Sequence, residues 1–257
     1  HKKYLNGNSS ISSKGANAKK NLNVIIPMNR LHYRLVALVH DNKTKALLPE
    51  VNIALHDKIL NEEIFVSGKT NQQGSITKML IEKSKGDKID FRIELEKHGY
   101  LKKSDAFELV LGDDSIIKIP LGLDEVALGV DIGKLININP IYFDLDKSKI
   151  RPDAAIELDK IVTAMKDNPS IVIELGSHTD CRATARYNMN LSDKRAKSSA
   201  TYIISKGIGK TRIYGKGYGE SKLVNGCACE GPVKPSCSEE EHQMNRRTEF
   251  KIVKIKG

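Results

Sequence analysis

The sequence predicts an α+β chain in two parts, and three observations carry that reading. Residues 31–122 break into about seven short apolar segments, rich in β-branched residues, with no helical period among them. Residues 139–257 alternate strand-like with helix-like segments. Residues 123–138, Leu123 through Ile138, link the two textures. The first part reads as an all-β sandwich of about seven strands and the second as a β-α-β-α-β-β layer with its helices packed on one sheet. At 257 residues the chain can bury two cores.

Taken in order, residues 1–30 are rich in Asn, Ser, Lys and Gly with little to bury, and read as a flexible lead-in. Tyr33 to Val39 is a strand, Asp41-Asn42-Lys43-Thr44 a turn and Val51 to Leu55 an alternating strand. Ile64-Phe65-Val66, the turn Thr70 to Gly74, and Ser75 to Ile81 follow. Ile89 to Leu95 alternates cleanly, and a last strand lies near Ile116 to Pro120. In the second part Ile141-Tyr142-Phe143 reads as a strand and Pro152 as the first residue of a helix. Ala155, Leu158, Ile161, Val162 and Met165 recur at helical spacing until Asn168-Pro169. Ile171 to Leu175 is a strand that delivers His178-Thr179-Asp180 at its end. The next helix carries Leu191, Ala196, Ala200, Ile203 and Ile204 and closes at Gly207. Arg212 to Glu220 and Asn245 to Val253 supply the last two strands, separated by a cysteine-bearing loop.

The 42 basic against 32 acidic residues leave a formal charge of +10, which suits an anionic partner: nucleic acid, an anionic membrane or a carboxylate-bearing polymer. Lysines are spread along the chain, so a solvated basic surface explains the charge as well. Nucleic-acid binding loses ground because aromatics are only 5% of residues and no stacking set alternates with the basic ones. No apolar run approaches a membrane span, and His1-Lys2-Lys3-Tyr4 does not open a signal peptide. The chain reads as a soluble piece, processed or cut from something longer.

Three of the four cysteines, Cys227, Cys229 and Cys237, crowd one polar loop, and Cys181 lies apart. An even total of four, three of them in one polar loop, favours two disulfides and an oxidising compartment. The competing metal site, Cys-x-Cys with Cys237 and His242, lacks the Cys-x2-Cys knuckle usual for zinc. Spacing alone leaves the connectivity open.

The stretch that carries chemistry runs from His178-Thr179-Asp180 to Arg195. It sets a carboxylate and a guanidinium fifteen residues apart, with a strand before the Asp and a helix around the Arg. Such a pair suits a zwitterion, whose ammonium needs an acceptor and whose carboxylate needs a donor fork. An ordinary Asp180–Arg195 salt bridge fits the same spacing. Asn188 is seven residues before Arg195, two helical turns, and shares its face if the helix is continuous. Alternatively Ser192 caps a helix that starts there, and Asn188 lies in a loop. Arg246 and Arg247 alternate across the last strand, so at most one of them faces a pocket.

Five separated motifs in order make the second part specific: Tyr142-Phe143-Asp144, Gly176-Ser177-His178-Thr179-Asp180, Tyr187-Asn188 with Leu191-Ser192 and Arg195-Ala196, Lys216 to Glu220, and Asn245-Arg246-Arg247. Over about residues 139–255 they resemble the OmpA-like C-terminal domain, a periplasmic peptidoglycan-binding module. The resemblance implies that Asp180, in its Thr179-Asp180 pair, and Arg195 hold the diaminopimelate of the stem peptide. It places Asn188 and Asp146 on the same pocket and Arg246 as a brace, with no metal and no cofactor. Asp146 is equally a solvated loop carboxylate. His178 reads as a hydrogen-bonded supporting histidine. Cys181 and the Cys227/Cys229 pair depart from the commonest family pattern. A disulfide from Cys181 to that loop would leave the other cysteine for Cys237.

Residues 31–122, through Leu48-Pro49-Glu50-Val51-Asn52-Ile53-Ala54-Leu55, Thr70 to Gly74 and Gly99-Tyr100, resemble the carboxypeptidase-regulatory-like, transthyretin-type sandwich, a spacer or interaction module. The combination implies a non-enzymatic tether in a Gram-negative periplasm. It would couple an outer-membrane assembly to the wall through an anchor preceding residue 1. Type IX secretion components are candidate partners. The rivals are an interaction module with a vacant pocket and a wall hydrolase. The second has no nucleophile-base or metal set in its favour, and Asp180 beside Arg195 would have a lowered pKa.

Overall fold

The computed structural model describes residues 33–59, 63–81, 83–229 and 236–256, so the lead-in expected over residues 1–30 lies outside them. Two compact units are present. One takes the described residues up to Lys97 with Lys103–Leu123, the other His98–Lys102 with Asp124 onward.

The first unit contains seven strands among the described residues: β1 (Tyr33–Asp41), β2 (Asn52–Asp57), β3 (Glu63–Lys69), β4 (Ser75–Leu80), β5 (Lys88–Glu96), β6 (Lys103–Val110) and β7 (Ile116–Leu123). They form two sheets, ordered β4-β1-β7 and β3-β2-β5-β6. Period-2 burial makes each sheet one-sided: Tyr33, Leu35, Ala37 and Val39 of β1 are buried, as are Ile53 and Leu55 of β2 and Ile89, Phe91, Ile93 and Leu95 of β5. Asp41 ends β1 by accepting from the N–H groups of Lys43 and Thr44 at 2.8 and 2.6 Å, an Asx-type turn. Apolar patterning does not mark β6. It is an exposed edge strand that pairs with β5 and touches the core through Phe107 against Phe91, ring centroids 5.6 Å apart.

The second unit runs α1 (Ile132–Leu135), α2 (Pro152–Asp167), β8 (Ile171–His178), α3 (Ala185–Ser205), β9 (Ile213–Gly219), α4 (Glu239–Asn245) and β10 (Thr248–Ile255). The sheet order is β10-β8-β9, with β8 antiparallel to β10 and parallel to β9. Pro152 opens α2 at its first position, Thr184 caps α3, and Gly207 (φ +98°) follows its end. Leu158, Ile161 and Met165 of α2 join Ala196, Ala200 and Ile203 of α3 in one core with Ile171, Ile173, Leu175, Phe250 and Ile252. Val172, Glu174, Gly176 and His178 have the opposite parity along β8 and lie on its other face.

Three expectations are corrected. Ile141-Tyr142-Phe143 is not a strand. The outer edge of β10, where it would pair, is already taken: Phe250 N donates to Asp131 Oδ1 and Ile252 N to Val130 O, both at 2.9 Å. Ile141 is buried in the core without a ladder. Residues 124–138 are accordingly more than a link, because α1 and the buried Ile132 belong to this core. The last strand starts at Thr248 rather than Asn245, because α4 runs up to it. Arg246 and Arg247 therefore precede the strand, period-2 alternation does not apply, and both line one cavity.

Candidate functional site

The end of β8 is pinned from both sides. His178 N donates to Arg247 O and Thr179 N to Gly219 O, each at 2.9 Å, which places Asp180 just beyond the central strand. Its main chain is clamped by α3: the amide of Asn188, which is 3% exposed, donates to Asp180 O at 3.0 Å and also to a Glu220 carboxylate oxygen. Because α3 starts at Ala185, Asn188 and Arg195 do share one helix. Ser192 does not cap it. Its hydroxyl accepts from Gly219 N at 2.8 Å, tying β9 to α3.

Glycines set that spacing. Gly215 and Gly217 have equal parity on β9, and a Cβ at either would fall 2.3 Å from α3 backbone, at Ala196 and Asp193 respectively. Only a residue without a Cβ lets the helix come this close. The glycine motif therefore fixes where α3 holds Asn188 and Arg195.

Asp180 and Arg195 do not form a salt bridge with each other. Asp180 Oδ2 accepts from Arg182 Nη2 and Arg246 Nη1, both at 2.7 Å, while Oδ1 takes the Arg182 N–H at 3.1 Å. The same two guanidinium groups reach Glu239, Arg182 Nη1 at 2.7 Å and Arg246 Nη2 at 2.6 Å. Two carboxylates and two guanidinium groups thus form a closed square. Burial would raise the Asp180 pKa, but hydrogen bonds from Arg182 and Arg246 outweigh it and hold the carboxyl below its ordinary value. The direction is the one the sequence leads to expect, but the cations responsible are Arg182 and Arg246 rather than Arg195.

Arg195 stands apart. It donates to Lys147 O at 3.0 Å and Asp144 O at 3.2 Å, and lies over the Phe143 ring, 5.0 Å from its centroid. Among the described residues it has no carboxylate within ion-pair distance. Burial lowers its pKa, and Tyr187 and Asp146 offset part of that. Asp146 accepts from the Tyr187 hydroxyl. All these side chains, with Thr179, line one cavity of about 520 Å³. The six predicted site residues Asp146, Thr179, Asp180, Asn188, Arg195 and Arg246 therefore surround a single space, with Asn188 also acting as a backbone clamp. Thr179 Oγ1 is buried without a hydrogen-bond partner.

His178 differs from expectation. It is 2% exposed and neither ring nitrogen makes a hydrogen bond. The ring stacks on Tyr218 at 5.0 Å, with Nε2 3.5 Å from Glu249 Oε2. Burial, reinforced by Arg247, lowers its pKa to about 4.

Sequence reasoning missed Arg182 and Glu239. Arg182 is two residues from Asp180, a spacing that allows a local bond. Glu239 is brought in by α4, whose Ser238-x-x-Glu241 capping box was a readable start signal. The loop before α4 is tied by Cys181–Cys229 and Cys227–Cys237. The thiolates a metal would need are thereby consumed.

Residues 142–232 match the model of the OmpA family. This stretch is an OmpA-like domain. Outer membrane protein A of Bordetella avium is 34% identical over 112 residues, 44% of this chain and 53% of that protein. The peptidoglycan-associated lipoprotein of Pseudomonas aeruginosa is 32% identical over 114 residues, 44% of this chain and 62% of that protein. The chain thus spans a little over half the length of these relatives, and the likeness belongs to the OmpA-like domain rather than to either whole protein. The crystal structure of the peptidoglycan-associated lipoprotein from Burkholderia pseudomallei, 24% identical, covers 45% of this chain and 90% of its own, with a TM-score of 0.37.

Proposed function

We propose that the OmpA-like domain binds peptidoglycan without catalysis, holding the free end of a stem-peptide diaminopimelate between Asp180 and Arg195. The observation that carries this reading is the separation of the two charges across a cavity of about 520 Å³, with Arg195 lacking a carboxylate partner among the described residues. A guanidinium held by backbone carbonyls and a ring face keeps its charge and can fork onto a ligand carboxylate. On the other side, Oδ2 of Asp180 is filled by Arg182 and Arg246, whereas Oδ1 carries one backbone N–H and can accept from an ammonium. Asp146 lines the cavity as a second acceptor. A raised-pKa acid, which a hydrolase needs, is the opposite of what Asp180 offers.

In this reading the chain is periplasmic and couples an outer-membrane assembly to the wall, with the first unit as a transthyretin-type spacer. Purified sacculi test it. The wild-type chain is retained on them, and Asp180→Ala and Arg195→Ala are each lost to the supernatant. Unchanged retention of both variants removes the pocket from the function, and release of soluble wall fragments by the wild type makes the chain a hydrolase. A second reading, a protein-interaction module of a secretion assembly such as type IX, draws on the closed square around Asp180, which leaves that carboxylate satisfied without ligand. Retention independent of both residues favours it.

A further inference from the structure

Past Arg247 and Thr248 the cavity of Asp180 and Arg195 gives onto another of about 410 Å³, and Ile141, Arg247 and Thr248 are walls of both. Lys134 of α1 lines the second cavity. Two carboxylates face this second cavity, and both are committed. Asp131 Oδ1 accepts from Gly133 N at 3.0 Å and Phe250 N at 2.9 Å, joining α1 to the edge of β10. Glu249 is ion-paired with Arg247 and Lys251, and although burial opposes it, these partners pull its pKa to about 2. The cations keep free donors. The Lys134 ammonium has no hydrogen bond or ion pair among the described residues. Arg247 uses Nε on Glu249 and Nη1 on Asn245 O, which leaves Nη2 without a hydrogen-bond partner among them.

We propose that this second cavity is a carboxylate subsite continuous with the first. Lys134 and Arg247 there receive the free carboxylate of the residue that adjoins the diamino acid in a peptide ligand. The inference rests on the diaminopimelate reading of the first cavity and deepens it. An α-linked peptide residue advances a chain by about 3.5 Å, and a γ-linked glutamate by more, so a ligand seated in one cavity can extend into another that shares its wall. A free diamino acid fills only the first cavity, whereas a stem peptide engages both. Lys134 therefore distinguishes a peptide whose neighbouring residue keeps its acid from one in which that acid is an amide.

Calorimetric titration of the full chain tests this with three ligands: meso-diaminopimelate, the tripeptide L-Ala-γ-D-Glu-meso-diaminopimelate, and the same tripeptide with the glutamate α-carboxylate amidated. The wild type prefers the acid tripeptide over the amide by about fivefold, the size of an ion pair at an exposed rim. Lys134→Gln abolishes that preference while its affinity for free diaminopimelate stays unchanged, and Lys134→Arg restores it. Equal wild-type affinity for the two tripeptides overturns the subsite, as does a Lys134→Gln loss that is the same for all three ligands. If the wild type binds none of the three, the diaminopimelate reading itself fails and the subsite falls with it.

Discussion

Arg246 Nη1 donates to Asp180 Oδ2 at 2.7 Å while Nη2 of the same guanidinium donates to Glu239 at 2.6 Å, so one side chain ties the end of the central strand to the helix that follows the cysteine loop. Asp180 is 8% exposed, and a carboxylate buried this far needs such partners to remain ionised.

Arg246→Ala therefore costs stability on the order of 1–2 kcal/mol, with Arg182 left as the sole cation on Asp180. The sign with pH follows from the depressed Asp180 pKa. The stabilisation is present above the ordinary carboxylate value of about 3.9 and is lost as pH falls through the lower folded-state value. Urea unfolding of wild type and variant should differ most near neutrality and converge in acid. A carboxyl NMR titration should show the Asp180 pKa rising in the variant. A difference between the two proteins that does not shrink in acid contradicts the pairing.

The buried, unbonded His178 acts in a higher window. With a folded-state pKa of about 4 against an ordinary 6.5, it is neutral in the folded chain and protonated in the unfolded one between those values. Stability is therefore fully present above about pH 6.5 and falls as pH drops toward 4, by about 3 kcal/mol at most. In the folded chain Glu249, with a pKa of about 2, stays ionised through this window. His178→Phe keeps a ring against Tyr218 and should flatten the unfolding profile there. A wild-type profile already flat between pH 6.5 and 4 rules out the neutral buried imidazole.

What could be read ahead of the structure was what depends on local spacing. The seven-residue step from Asn188 to Arg195, the proline opening α2 and the alternation in β5 each state a period that packing then used. What could not be read depends on pairing across the fold. Tyr142 and its neighbours have strand composition, but the β10 edge they would join is filled by Val130 and Asp131. Glu239 is 59 residues from Asp180, and only the folded loop brings its charge there. Arg246 and Arg247 look like strand residues until the helix before them is known, and β6 hides because an exposed edge strand has a charged pattern.

Gly217→Ala tests whether β9 sets the position of the site. The added Cβ would meet Asp193 N at 2.3 Å and Ser192 Oγ at 2.7 Å, so α3 must shift. Overpacking of this kind costs about 1–3 kcal/mol. The displaced helix carries Asn188 and Arg195, so retention on sacculi should fall together with the melting temperature. Gly226→Ala, where a Cβ meets nothing within 4 Å, should leave both unchanged and serves as the control. Full retention by Gly217→Ala would show that the pocket tolerates movement of α3.

The two disulfides should differ in worth, and the difference bears on the site. Cys181–Cys229 closes a separation of 48 residues and Cys227–Cys237 one of 10. Loop-closure entropy assigns about 4 kcal/mol to the first and about 2.5 kcal/mol to the second. Cys181 also follows Asp180 directly, so its bond anchors the cysteine loop beside the carboxylate that Arg246, just past α4, reaches. Cys181→Ser with Cys229→Ser should lower the unfolding free energy more than Cys227→Ser with Cys237→Ser, and only the first pair should raise the Asp180 pKa. Equal losses in the two double variants, with an unmoved Asp180 titration, would mean that α4 holds its place by the ion-pair square alone.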